Sequence, residues 1–357
     1  MKQTLSHVDP EFRSPAASFQ LDLRKLSIYL STQGVSLSTS TPPRQFAGGF
    51  GNLNFLIEVD HQPMVLRRPP PGPLPPGAND MAREFKVLSR LWRHFPLAPR
   101  ATIFCDDNTV LGVPFFLMEY RPGLVVRSTL PVKLKGKEAL LSEMMIATLA
   151  DLHAIPPRQV DLEDLGHPDE FLDRAVQGWI KRAAVATNGN PPPAAIDLGR
   201  WLQNYRTPVS KVALLHNDFK LDNIILDPKH AGHPVAVIDW DMCTRGDPLF
   251  DLATLLSYWA EPDDPPAMRE LKQMPTTNPG FLSRQEVAER YAQRTDLDLS
   301  EFLFYRVLAV FKLGVVFMQL HARYRRGETH EPRFGEFDKL ANGLLGFALD
   351  VARGRGF

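Results

Sequence analysis

The densest run of chemistry-bearing residues is His216-Asn217-Asp218-Phe219-Lys220-Leu221-Asp222-Asn223, set between the apolar triplets ALL and IIL. Farther on, VAVIDWD places Asp239 at the end of another apolar run. Phosphoryl transfer needs a carboxylate to orient an acceptor hydroxyl and take its proton. It also needs hard oxygen ligands for Mg2+ and positive charge near the transferring group. Asp218 suits the first task, Asn223 and Asp239 suit the metal, and Lys220 is spaced to reach a terminal phosphate. The plainer reading of HNDFKLDN is an Asx-rich turn between strands, and the downstream IDWD argues against it.

The elements that must position these groups read as follows. Met1 to Ser18 is expected to be a loose arm, and LDLRKLSIYLSTQG a helix that stops at Gly34. RQFAGGFGNLNFLIEVD predicts strand, glycine turn, strand, with Gly48-Gly49-Phe50-Gly51-Asn52 at the turn. DHQP makes a second turn and MVLRR a third strand. Side chains alternate along a strand, so Val65 and Arg67 share a face and Arg68 points the other way, into solvent, unless the register slips by one and Arg68 is the phosphate ligand instead. Pro69 to Gly77 is too rich in proline for helix or central strand and predicts a stiff exposed connection. Asn79 or Asp80 can cap a helix through AREFKVLSRLWRHF, and strands follow at ATIFC and VPFFLMEY. After Arg121 the pattern turns helical. KEALLSEMMIATLADLH reads as a strongly amphipathic helix, and FLDRAVQGWIKRAA, AIDLGRWLQNY, EVAERYAQRT and the stretch from Phe302 to Tyr324 as further helices. VALL and NIILD read as two short strands around the polar loop. The expected fold class is α+β, with a small β-rich lobe over residues 1–121 and a larger helical lobe over 122–357.

HNDFKLDN followed by VIDW resembles the protein-kinase-like phosphotransferases of small molecules, the family of aminoglycoside phosphotransferases and choline kinases. Asn217 stands where that family has glycine, and asparagine tolerates left-handed backbone angles. The resemblance covers roughly Arg44 to Trp259. It implies a two-lobed kinase fold, ATP and Mg2+ as cofactors, and a hydroxyl-bearing small molecule as acceptor. It also implies roles in the first lobe. Gly48, Gly49, Phe50, Gly51 and Asn52 would cover the phosphates, and Val65 would lie near adenine. Arg67 would meet the phosphates in place of the usual lysine, braced by Glu84. Met118, Glu119 and Tyr120 would form the hinge strand that offers backbone groups to adenine. Asp247 reads as a helix cap, Asp251 as a partner of the catalytic loop, His153 as a packed histidine, and Asp241 as either a metal assistant or a surface acid. VLRRPPPG and IDWDMCTRGDPLFDLA look especially like the phosphotransferase domains associated with acyl-CoA dehydrogenases, which implies a hydroxy acid or hydroxyacyl-CoA acceptor. Two alternatives stand beside this: an aminoglycoside or amino-alcohol kinase, and a nucleotide-binding pseudokinase suggested by Arg67.

Bulk properties narrow the class. The 41 basic residues equal the 41 acidic ones, which argues against a general nucleic-acid or membrane-surface binder. Two cysteines without a CxxC pair argue against a disulfide framework and a zinc module, and two reduced thiols are expected. The N-terminal residues lack an apolar stretch, and Leu308 to Leu320, broken by Lys312, looks too short to span a bilayer, so the cytoplasm is the expected location. The basic segments HARYRRGE and VARGRG suit an anionic acceptor better than a polycationic drug. A monomer or homodimer is expected.

Overall fold

The structure is a computed structural model that describes residues 10–48, 51–72, 79–205, 211–329 and 331–357. Helix α1 (Leu23–Thr32) is capped by Asp22, whose carboxylate accepts from Lys25 N at 3.0 Å. It buries Leu26 and Leu30 but leaves Ile28 59 % exposed, so Ile28 is not part of the apolar stripe. Strands β1 (Arg44–Gln45), β2 (Leu53–Val59) and β3 (Gln62–Arg68) follow. The β2–β3 turn runs through Asp60 and His61, both at positive φ. Next come α2 (Met81–Leu91), β4 (Ala101–Cys105), the single turn α3 (Asn108–Leu111), β5 (Phe115–Glu119) and β6 (Leu124–Val125). The chain continues through α4 (Glu138–His153), α5 (Phe171–Ala186), α6 (Pro193–Asn204), β7 (Ala213–Leu215), β8 (Ile224–Leu226), β9 (Pro234–Val237) and β10 (Thr244–Gly246). It ends with α7 (Pro248–Tyr258), α8 (Pro266–Glu270), α9 (Arg284–Thr295), α10 (Phe302–Arg325) and α11 (Phe337–Ala352).

These elements form two compact units. The first takes in Met1–Val125, Arg158–Leu162 and Ile224–Cys243. Its main sheet is antiparallel, in the order β1-β2-β3-β5-β4. Leu26 and Leu30 of α1 pack with Phe55, Ile57, Leu66, Phe115 and Leu117 to make its core. A smaller sheet, β6-β8-β9, completes it. Of the expected loose arm, residues 10–18 are tied to the sheet: Phe12 bridges Phe46, and Arg13 N donates to Gln45 O at 2.9 Å; residues 1–9 lie outside the described residues. Asp80, not Asn79, caps α2, and the helix ends at Leu91, short of the expected Phe95. Pro69 is buried rather than exposed, and residues 73–78 of the proline-rich connection lie outside the described residues.

The second unit takes in Val126–Pro157, Glu163–Asn223 and Thr244–Phe357, and is mainly helical. Helix α10 is its axis, packed by α5, α6, α7 and α11. By length and composition α10 could cross a membrane, which corrects the shorter span expected from sequence. Its apolar window is 78 % buried inside the unit, as in a core helix. Helix α4 is not amphipathic: Leu141, Met145, Leu149 and Leu152 are buried together with Ser142 and Thr148 on other faces, because α9 and β7 pack against it. The two short strands around the polar loop do not pair with each other. β7 pairs β10, while β8 pairs β9. Cys105 and Cys243 are free and buried.

Candidate active site

In the first unit the functional side chains gather around Arg67. Arg67 is 4 % exposed near the end of β3. Its Nε donates to Glu84 Oε2 at 2.8 Å, its Nη1 to Asn54 Oδ1 at 3.2 Å, and its Nη2 to Asp239 Oδ1. Glu84 is buried on α2, and its other oxygen accepts from Trp240 N at 3.1 Å. Burial works against the guanidinium charge, but Glu84 and Asp239 outweigh it and raise the Arg67 pKa. Burial, with Asp239 and Asp241 adding to it, pushes Glu84 up to about 7 despite Arg67. Asp239 has left-handed angles (φ 68°, ψ 62°), which aspartate tolerates better than most residues, and its side chain stays 43 % exposed. Asp241 accepts from Asn79 N at 3.2 Å and lies 3.6 Å from Arg83, and its buried Oδ1 has no hydrogen-bond partner. Burial raises the Asp241 pKa, and it is not the surface acid that sequence allowed.

In the second unit the loop around Asp218 is pinned from several sides. Asn217 is left-handed (φ 66°), as its stand-in for glycine requires. Asp251 on α7 accepts from His216 N at 2.6 Å and from Asn217 N at 2.8 Å. Lys312 on α10 donates to Asn217 O at 2.7 Å, so both peptide groups of residue 217 are held. Asp218 itself meets three donors. Tyr258 OH donates to Oδ1 at 2.7 Å, Lys220 Nζ to Oδ2 at 2.8 Å, and Asn223 Nδ2 to Oδ2 at 3.2 Å. Burial alone would raise its pKa; Lys220, Tyr258 and Lys312 reverse this and lower it. Burial lowers Lys312 to about 8. His153 is packed, with Nδ1 2.6 Å from Tyr291 OH and Nε2 3.2 Å from Asp251 Oδ2. Asp247 caps α7 by accepting from Leu249 N at 2.9 Å.

The remaining expected residues divide. Asn52 is buried and accepts from Asn79 Nδ2 at 2.8 Å, tying the glycine segment to the approach to α2. Gly48 and Gly51 are described; Gly49 and Phe50 lie outside the described residues. Val65 pairs Met118 across β3 and β5, and both are buried. Glu119 N donates to Arg100 O at 2.9 Å, so that backbone donor is spent inside the sheet. The Glu119 carboxylate is taken by Arg121 and by Arg100 N. Tyr120 lies 6.2 Å from the Phe46 ring. Arg68 is buried (3 % exposed), against the solvated position expected, because it stacks on Phe19 and bonds to Leu111 O. Sequence reasoning missed Tyr258 and Lys312 as partners of the loop. Lys312 carried a signal, a lone cation inside an apolar helix, whereas Tyr258 carried none.

The donor chemistry fits a divalent cation. Among the described residues no cluster of three or more His, Cys, Asp or Glu could hold a metal alone. Magnesium keeps waters and phosphate oxygens, however, and needs only one or two protein ligands. Asn223 donates through Nδ2 to Asp218 O and Oδ2, so its Oδ1 is the atom a cation would meet. The exposed Asp239 carboxylate and the orphaned Asp241 oxygen are hard donors of the same kind.

A protein-family model described as the phosphotransferase enzyme family, APH, matches residues 43–289. This chain belongs to that family, a class of phosphotransferases with a protein-kinase-like fold. Among its relatives is mouse (Mus musculus) acyl-CoA dehydrogenase family member 11, 32 % identical over 319 residues, which cover 87 % of this chain and 40 % of that protein. The chain thus spans well under half of that relative's length. Among solved structures, a putative aminoglycoside phosphotransferase from Ralstonia eutropha JMP134 superposes with a TM-score of 0.77 at 22 % identity, covering 94 % of this chain and 99 % of the other. A thermostable mutant of the aminoglycoside phosphotransferase APH(4)-Ia, in ternary complex with AMP-PNP and hygromycin B, superposes at 0.55 with 16 % identity, covering 93 % and 100 %. At those identities the two structures speak for the fold.

Proposed function

We propose that this chain is an ATP- and Mg2+-dependent kinase that phosphorylates a hydroxyl of a small acid or its CoA ester. The observation that carries the reading is Asp218, a half-buried carboxylate held by Tyr258, Lys220 and Asn223 and kept ionised by Lys220, Tyr258 and Lys312, on a loop that Asp251 and Lys312 pin. Asp218 orients the acceptor hydroxyl and receives its proton, and its low basicity suits a proton that moves late, after most of the bond to the leaving ADP is broken. Lys220 and Arg67 supply positive charge to the phosphates, and Glu84 keeps Arg67 in place. Asn223 and Asp239 would each offer a hard oxygen to Mg2+. Mg2+, where bound, would supply positive charge that offsets the charge of the phosphates. The buried, free cysteines suit a reducing compartment, the cytoplasm.

The acceptor class is supported by the relative whose name includes acyl-CoA dehydrogenase, since a phosphorylated hydroxyl is a good leaving group for a later elimination. The basic C-terminal segments support it less than their composition suggested: Arg323 and Arg326 pair with Glu328, and Arg355 with Asp350. Mg2+-dependent ADP release across a panel tests the assignment. Hydroxy acids and hydroxyacyl-CoAs should drive release, and amino alcohols and aminoglycosides should not. Release with aminoglycosides alone would overturn the acceptor class.

A further inference from the structure

Arg68 is a buried cation that forms no ion pair among the described residues. Its Nε donates to Pro69 O at 3.2 Å and its Nη1 to Leu111 O at 3.3 Å, and its guanidinium carbon lies 4.4 Å from the centre of the Phe19 ring. Among the described residues no carboxylate forms an ion pair with it, and Nη2 has no hydrogen-bond acceptor. Burial alone lowers its pKa, with no neighbouring charge contributing. A desolvated charge without a counter-ion is costly, and two neutral carbonyls compensate only part of the loss.

This cation lines a cavity of about 490 Å³ in the first unit, shared with Phe19, Asp22, Lys25 and the α3 turn. Lys25 supplies a second cation, its Nζ donating to Thr109 O at 3.1 Å. Among the described residues Asp22 is the only acid at the lining, and its Oδ1 is engaged in capping α1. The lining therefore carries one net positive charge. A planar guanidinium with a spare Nη nitrogen is suited to a carboxylate or phosphate oxygen.

We infer that this cavity is a binding site for a small oxyanion, seated on Arg68 and Lys25 beside Phe19. It is separate from the Arg67 cluster, although the two arginines are neighbours on β3: Arg67 is engaged with Glu84 and Asp239, and Arg68 bonds on the α3 side. The inference stands apart from the phosphotransfer reading and survives its failure.

Thermal unfolding of the full chain, without nucleotide or Mg2+, tests it. Sodium phosphate and sodium acetate are titrated separately, with chloride added to hold ionic strength constant. A saturable rise in Tm with either anion supports the site, and the better anion identifies phosphate or carboxylate as the preferred group. Lys25→Gln should weaken half-saturation by roughly tenfold, as expected for one lost charge-assisted contact. Arg68→Lys, which keeps the charge but loses the fork, should weaken it as well. Lys25 is exposed, so its variant keeps the test available if the Arg68 variant does not fold. A parent Tm that responds no more to phosphate or acetate than to chloride would overturn the inference. So would a response equal to the parent's in the Lys25 variant.

Discussion

Asp218 shows how much of a catalytic residue is made by its neighbours. Three donors hold its two oxygens, and they decide both its direction and its charge. Of these, Lys220 and Asn223 were singled out in the loop for other tasks, the phosphate and the metal, and Tyr258 was not singled out at all, because it arrives from α7 forty residues later. Removing that one hydroxyl should loosen the carboxylate without touching the nucleotide. Tyr258→Phe is expected to lower kcat by roughly tenfold, the worth of one hydrogen bond to a charged group, with KM for ATP unchanged. Steady-state kinetics would show the split, and equal losses in both constants would mean general misfolding instead. Lys312 offers a pH test. Burial depresses its pKa from 10.5 to about 8, so the folded protein loses this proton before the unfolded chain does. Between about pH 8 and 10.5 the unfolded state binds more protons, and this group makes folding stability rise with pH. Activity should move the other way, because the charge that holds Asn217 O disappears. The parent kcat/KM is expected to fall above about pH 8, and Lys312→Met should be slower at pH 7 and lack that limb. An identical alkaline limb in the variant would contradict the role.

At the scale of elements, strands and caps were readable where the local pattern decides the outcome. Alternation placed β2 and β3, and the capping carboxylates Asp80 and Asp247 marked the starts of α2 and α7. Pairing was not readable. β7 and β8 flank one loop in sequence, yet β7 joins β10 and β8 joins β9, since long-range partners leave no trace in a three-residue run. The burial of Arg68 was hidden for the same reason: Phe19 and Leu111 cover it from distant parts of the chain. Gly123, just before β6 and packed against β8, shows how close that packing is. A Cβ on Gly123 would meet Ile225 Cγ2 and stand 2.5 Å from Leu226 O, a backbone atom that cannot step aside. Gly123→Ala should therefore cost about 1–3 kcal/mol in urea denaturation, the usual range for overpacking. A midpoint equal to the parent's would show that β8 yields more readily than this packing implies.

For the whole molecule, the sequence conveyed the α+β class, and the order of its motifs was enough to find the phosphotransferase family. It did not convey which segments belong together. Ile224–Cys243, with β8, β9 and Asp239, clusters with the β-rich first unit, while Asp218 and Asn223 belong to the helical second unit. That grouping depends on tertiary contacts that no local pattern announces. The account makes Asp218 the proton acceptor of a metal-dependent transfer, so the direct measurement follows the phosphoryl group. With γ-labelled ATP, Mg2+ and a hydroxy acid or hydroxyacyl-CoA, the parent should move label onto the acceptor, and chelating the metal should stop it. Asp218→Asn should be slower by roughly 10²–10⁴-fold, as expected for loss of a positioned base. Transfer by Asp218→Asn at the parent's rate, or label transfer unaffected by chelation, would contradict the account.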